Sequence, residues 1–295
     1  MIEGIYKTAY GIWNSIITIA MTLFTTSPMA ANGSVYETTH TLFLAISDIS
    51  VPVAIVFFLI AICKDVLATP PEHQWRKLLN DLVRYGLIVA VITNLWDLMG
   101  AVMGVADGIT NRFSISAEYT LSISEDLRTV ISESTQTPTA TISLMTFGED
   151  LKNFISAWIS YVFRNIVFTL AALVTLLVII ASAISILSSS YQRILKPLVI
   201  LPFSSITIAM GAGAGDASRV AVSYMKTFFG FCISGALMVI CVKLGVSLSD
   251  GLVAFELAAL DSMEKVLYIS IQNAVTPIII AGLVKSVDSI VGRMF

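Results

Sequence analysis

Charge is scarce in this sequence. Asp, Glu, Lys and Arg make up 13% of 295 residues, while hydrophobic residues make up 56%. A soluble domain of this length carries about twice that charged fraction, so a water-soluble globule is excluded. Histidine is scarcer still. His40 and His73 stand alone, so no metal-ligand spacing exists. Cys63, Cys232 and Cys241 all lie inside apolar runs and read as small core hydrophobes, not as a disulfide framework. There is no Ser/His/Asp set, no HExxH and no GxxxxGK[ST] phosphate loop. An enzyme is therefore not expected, nor a cofactor or a bound metal. The net charge of −3 gives no reason for nucleic acid to coat the whole surface.

What the chain does have is long apolar runs. Their length and number predict an all-α, polytopic membrane protein with about five transmembrane helices. Added to these are an N-terminal amphipathic helix and a broken or re-entrant hairpin. Residues 2–24 place Ile5, Tyr6, Ala9, Ile12, Trp13, Ile16, Ile17, Ala20, Leu23 and Phe24 on one face, and Glu3, Lys7, Asn14, Ser15, Thr18 and Thr22 mostly on the other. Such a helix lies in the membrane interface or turns its polar side to a water-filled lumen. The segment reads as retained, because its first positions are not basic and Pro28 spoils a signal-cleavage pattern.

The expected spans are 41–63, 82–105, 154–187, 227–248 and 266–284. They divide the chain into an N-terminal helix and linker (1–39), two spans around a basic loop (40–105), an extracytoplasmic polar loop (106–153) and a transmembrane core (154–295). The polar loop holds seven acids against Arg112, Arg128 and Lys152. Within the core, Pro197 and Pro202, followed by Gly211, Gly213 and Gly215, break up a short apolar piece. A re-entrant hairpin over 197–215 is expected there. Basic residues in short loops then put the N-terminus outside and the C-terminus in the cytoplasm.

Ionisable residues inside spans are the functional candidates, since charge at membrane depth is costly unless paired or hydrated. Asp97 and Arg164 are expected to form an intramembrane ion pair or to line a polar pore. Asp48 and Lys243 lie near span ends, where they can reach the interface.

One stretch carries a resemblance. It begins Tyr191-Gln192-Arg193-Ile194-Leu195-Lys196-Pro197-Leu198-Val199-Ile200-Leu201-Pro202-Phe203. Gly211–Gly215, Ala217-Ser218-Arg219 and Ser223-Tyr224-Met225-Lys226-Thr227-Phe228-Phe229-Gly230 follow. The order of a long span, basic closure, proline hairpin, small-residue loop and basic–aromatic helix start resembles the TrbL-type inner-membrane channel proteins of conjugative type IV secretion systems, in versions from Gram-positive conjugative elements. The resemblance covers roughly residues 40–290. It implies a homo-oligomeric channel or scaffold subunit in the bacterial inner membrane, partnered by other secretion-system membrane subunits and ATPases. Single-stranded DNA with its bound relaxase would be the cargo. It further implies a cytoplasmic basic ring of Arg193, Lys196, Arg219 and Lys226. The competing expectation is a secondary transporter of a small solute or ion, with a midplane site where 197–215 breaks; the lack of an internal repeat disfavours it.

Overall fold

The structure, a computed structural model, describes residues 2–30, 33–114, 120–123, 125–134, 137, 147–213, 215–251 and 262–294. Among these residues no strand occurs. The chain forms α1 (Ile2–Thr25), α2 (Gly33–Leu67), α3 (Pro71–Thr93), α4 (Leu95–Ser114), α5 (Glu125–Ser134), α6 (Phe147–Ile200), α7 (Ser204–Ala209), α8 (Asp216–Gly251) and α9 (Ser262–Met294). Short 3-10 turns occupy Pro28–Ala30, Leu201–Phe203 and Met210–Ala212. The fold is all-α, as a chain that must satisfy its backbone without water requires.

Four stretches are long and apolar enough to cross a bilayer: Ser34–Lys64, Leu151–Ala212, Asp216–Leu248 and Leu267–Met294. The consecutive pair α3 and α4 makes a fifth when counted together. In the most apolar window of α2 only 17% of residues are buried, while Leu42, Ile49, Val56, Leu59 and Ile60 are exposed. Such a surface is stable against lipid tails and not against water.

One expected boundary is corrected. The second span does not run straight through 82–105. It ends at Thr93, and α4 leaves at 71°. The cause is a polar pair within the apolar run. Thr93 Oγ1 donates to Val89 O at 2.7 Å and Asn94 Nδ2 to Ala90 O at 3.0 Å, so both side chains compete for helix carbonyls. Asn94 then leaves helical geometry at φ −110°, ψ 18°.

The expected break lies over 197–215. Pro197 lies inside α6 and Pro202 in the first turn of a 3-10 segment, where a missing N–H costs little. Helical structure therefore carries on to Ala212 in short broken pieces, within one apolar stretch from Leu151. The chain leaves helical geometry at Gly213, before α8 begins at Asp216. Gly213 is extended (φ −76°, ψ 166°), and Gly215 takes φ +65°, which side chains disfavour. Gly211 permits close packing: a Cβ there would meet Ile88 at 3.1 Å and Ala221 at 3.2 Å.

The chain divides into two compact units. The first comprises 1–20, 117–188 and 241–285, the second 21–116, 189–240 and 286–295. In the first, α1 buries Ile2, Tyr6, Ala9, Tyr10, Trp13, Ile17 and Ala20; of the stripe read from the sequence, Ile5, Ile12 and Ile16 are half-buried, and Ile2 and Tyr10 join it. Polar bonds fix it in place. Tyr6 and Ser270 share a hydroxyl hydrogen bond at 2.8 Å, and Tyr10 donates to Asn273 Oδ1 at 2.5 Å. The Asn14 amide clasps the Leu121 backbone in both directions, at 3.0 and 2.9 Å. Burial pushes the Tyr6 and Tyr10 phenols above their ordinary range.

In the second unit, Phe43, Ala54, Ile92, Leu95, Met99, Met103, Leu201, Ile208 and Phe228 form the core. Trp96 packs against Tyr36, His40 and Phe43 with ring centroids 4.5–5.4 Å apart, and donates its indole N–H to Tyr36 at 3.2 Å.

Candidate functional site

The most constrained polar group of the second unit is Arg193. Its side chain is 1% exposed, on the stripe Ser190, Ile194, Leu198 and Leu201 by which α6 packs. Nη1 donates to Leu23 O and Thr26 O, both at 3.0 Å, and so caps the end of α1, where carbonyls lack helical partners. Nη2 donates to Asp107 Oδ1 at 3.1 Å. Asp107 reaches the pair because α4 buries Leu95, Met99, Met103, Ala106 and Thr110 on the same side. The guanidinium lies over Gly235 of α8, where any Cβ would overlap it. One side chain thus ties α1, α4, α6 and α8 together. The clamp is incompletely satisfied, since Arg193 Nε and Asp107 Oδ2 are buried without hydrogen-bond partners.

This geometry corrects the expected ring of four cations. Arg193 is not on a solvated face, and Lys196 is ion-paired with Asp288. Both lie ~25–30 Å along the helix from the reversal at Gly213, at 1.5 Å per residue. Near that reversal the other basic residues collect. Arg84 Nη1 donates to Gly213 O at 3.4 Å, and Lys64 Nζ lies 4.0 Å from where a Gly215 Cβ would stand. Arg219 is exposed beside Asp216 at 3.5 Å, and it shares a shallow groove of about 320 Å³ with Ser218, Ser223 and Lys226. The loop reading counted basic residues without asking which face of the helix they occupy.

Compared against family models, curated proteins and solved structures, the chain matches none.

The remaining candidates are placed as follows. Asp97 is exposed in the first turn of α4, in the second unit; Arg164 is half-buried on α6, in the first. The buried ion pair of the second unit is a different one, Arg193–Asp107. Among the described residues no three His, Cys, Asp or Glu side chains gather as a metal site. Residues 115–119, 124, 135–136 and 138–146 of the expected outer loop and 252–261 of the 249–265 connection lie outside the described residues.

A second feature belongs to α1. Opposite its buried stripe, Gly4, Thr8, Gly11, Ser15, Thr18 and Thr22 are exposed at alternating spacings of four and three. Thr8, Ser15 and Thr18 donate back to carbonyls of their own helix at 2.7–2.9 Å, and nothing lies within 4 Å of where a Gly4 or Gly11 Cβ would be. The result is a narrow face of small residues and hydroxyls. It carries no charge beyond Glu3 and Lys7 in its first turns.

Proposed function

We propose that this chain is an inner-membrane channel and scaffold subunit of a conjugative type IV secretion machine. In this reading several copies surround a path for single-stranded DNA and its bound protein. The basic end around Gly213–Gly215 faces the cytoplasm and the machine's ATPases. The observation that carries the reading is the exposed face of α1. Lipid tails give a hydroxyl and glycine face nothing to pack against, whereas water solvates it. An uncharged, hydrated wall also suits a polyanion in transit, because cations there would hold phosphates by counterion release. The basic end supplies the initial attraction, where Arg219 and Lys226 are multiplied by subunit copies.

The first test is the mass of the protein extracted into nanodiscs, by native mass spectrometry. A closed ring of several copies is expected, and in it a Thr18→Cys variant should react with a membrane-impermeant thiol reagent. A monomer or dimer that stays so when partner subunits are added would refute the channel reading and favour a transporter. Ser15→Trp should narrow the path and lower DNA transfer without lowering the amount of assembled ring.

A further inference from the structure

The N-terminal half of α3 carries a second cationic groove that the channel reading does not use. It has a volume of about 740 Å³ and is lined by His73, Arg76, Lys77 and Asn80, with Leu79 and Val83 on its walls. Arg76 is exposed. The polar residues follow one another at three- and four-residue spacing and so share one face of the helix. Along that face the chemistry changes within two turns. His73 to Lys77 present cations and a donor ring, and one turn later Leu79 and Val83 are 49% and 62% exposed. Leu82 and Leu87 continue the exposed apolar surface; of the two acids on this half of the helix, Asp81 is turned inward at 3% exposure and Glu72 is exposed in the first turn. Trp75, at 71% exposure, stands at the boundary. An amphipathic ring of that kind favours the headgroup level of a bilayer.

We propose that this groove is a binding site for an anionic phospholipid. Its phosphate meets Arg76, Lys77 and the donors of His73 and Asn80, and its acyl chains lie on Leu79 and Val83. Two features select a lipid over other phosphate carriers. The separation of Arg76 from Val83, seven residues or ~10 Å along the axis, matches the drop from phosphate to upper chain. The exposed apolar wall would have to face water if the occupant were a nucleic acid or free phosphate. The inference does not rest on the channel reading, since any membrane role for the chain would accommodate it.

The test uses the intact chain in a mild detergent, titrated with phosphatidylglycerol or phosphatidylcholine of the same acyl chains and read by native mass spectrometry. The wild type should prefer phosphatidylglycerol by about 30-fold, as two interfacial cations imply. The preference should vanish in the double variant Arg76→Gln/Lys77→Gln. It should survive in the charge-conserving Arg76→Lys/Lys77→Arg variant and in Arg112→Gln, which removes an exposed cation elsewhere. Equal binding of the two lipids by wild type would overturn the proposal, as would a preference that persists in the neutral double variant. Displacement of phosphatidylglycerol by a single-stranded oligonucleotide would also overturn it and assign the groove to nucleic acid.

Discussion

Removing Arg193 alone should be worse than removing Arg193 together with Asp107. At 3.1 Å and an effective dielectric of 20 the attraction between the two charges is about 5 kcal/mol, much of it offset by the desolvation of both. Arg193→Met strands the Asp107 carboxylate, whose other oxygen already lacks a hydrogen bond, and also releases Leu23 O and Thr26 O. Breaking a buried pair in this way costs about 3–5 kcal/mol. Asp107→Asn leaves the cation with the two α1 carbonyls and the negative end of that helix, so its cost should be about 1–2 kcal/mol. In the double variant no charge is stranded. Only the two carbonyl bonds to a charged donor are missing, which puts the loss at about 2–3 kcal/mol, below that of Arg193→Met. The assay is unfolding by sodium dodecyl sulfate in mixed micelles, followed by far-ultraviolet circular dichroism and extrapolated linearly. A double variant as unstable as the sum of the two singles would refute the reasoning, because it would mean that the groups do not act on one another. So would an Arg193→Met protein within about 0.5 kcal/mol of wild type, the range of an ordinary surface change.

Glycine positions give an internal contrast. Gly235→Ala drives a methyl into the Arg193 guanidinium and should destabilise by about 1–3 kcal/mol in the same unfolding assay. Gly11→Ala, in open space on a helix, should instead stabilise by up to about 1 kcal/mol; a loss there would mean that its face is covered. The phenols of Tyr6 and Tyr10 make stability depend on alkaline pH. Because burial raises their folded values above the ordinary 10.0, their contribution is whole below that pH and falls as pH rises beyond it. Stability measured from pH 9 to 11 should therefore fall less steeply in Tyr10→Phe than in wild type.

Much of the fold was legible because it rests on periodicity. The stripe Tyr6, Ala9, Trp13, Ile17 and Ala20 is written at helical spacing, and it is the stripe that α1 buries. The bend after α3 had a signal too, in Thr93-Asn94, two side chains that compete with helix carbonyls. It was outweighed by the apolar residues on either side. Asp107 was hidden by segmentation. Grouped with the acids of a polar loop, it is in fact one turn beyond Met103 on a stripe that starts at Leu95. Gly235 had no signal at all, because a glycine in an apolar helix takes its meaning from what lies against it. Arg193 could be misread because its sequence neighbours, Tyr191, Gln192 and Lys196, look like the closing residues of a span. Its position on the Ser190–Ile194–Leu198 stripe was the contrary evidence.

Arg193 and Lys196 drop out of any argument about sidedness. A basic residue reports the cytoplasmic face only while its charge is carried by solvent or lipid headgroups. Arg193 is neutralised by Asp107 inside the fold, and Lys196 is paired with Asp288, so neither can report. Lys64, Arg76, Arg219 and Lys226 are exposed, as are Arg112 and Arg293 of the same unit. Lys64 and Arg219 lie close to the Gly213–Gly215 reversal, and Arg84 bonds directly to it. Helix α8 begins at this reversal, and the α2–α3 turn lies ~20 Å farther along α3 than the Arg84 contact, at 1.5 Å per residue. Two parts of the chain distant in sequence, that turn and the start of α8, thus lie toward one end of the unit. Loop counting drew on residues of this end together with Arg193 and Lys196, which are paired inside the fold. A cysteine introduced at Asp216 should consequently be labelled from the same side of sealed vesicles as one introduced at Arg76. Labelling from opposite sides would mean that the α2–α3 turn and the start of α8 do not lie toward one end.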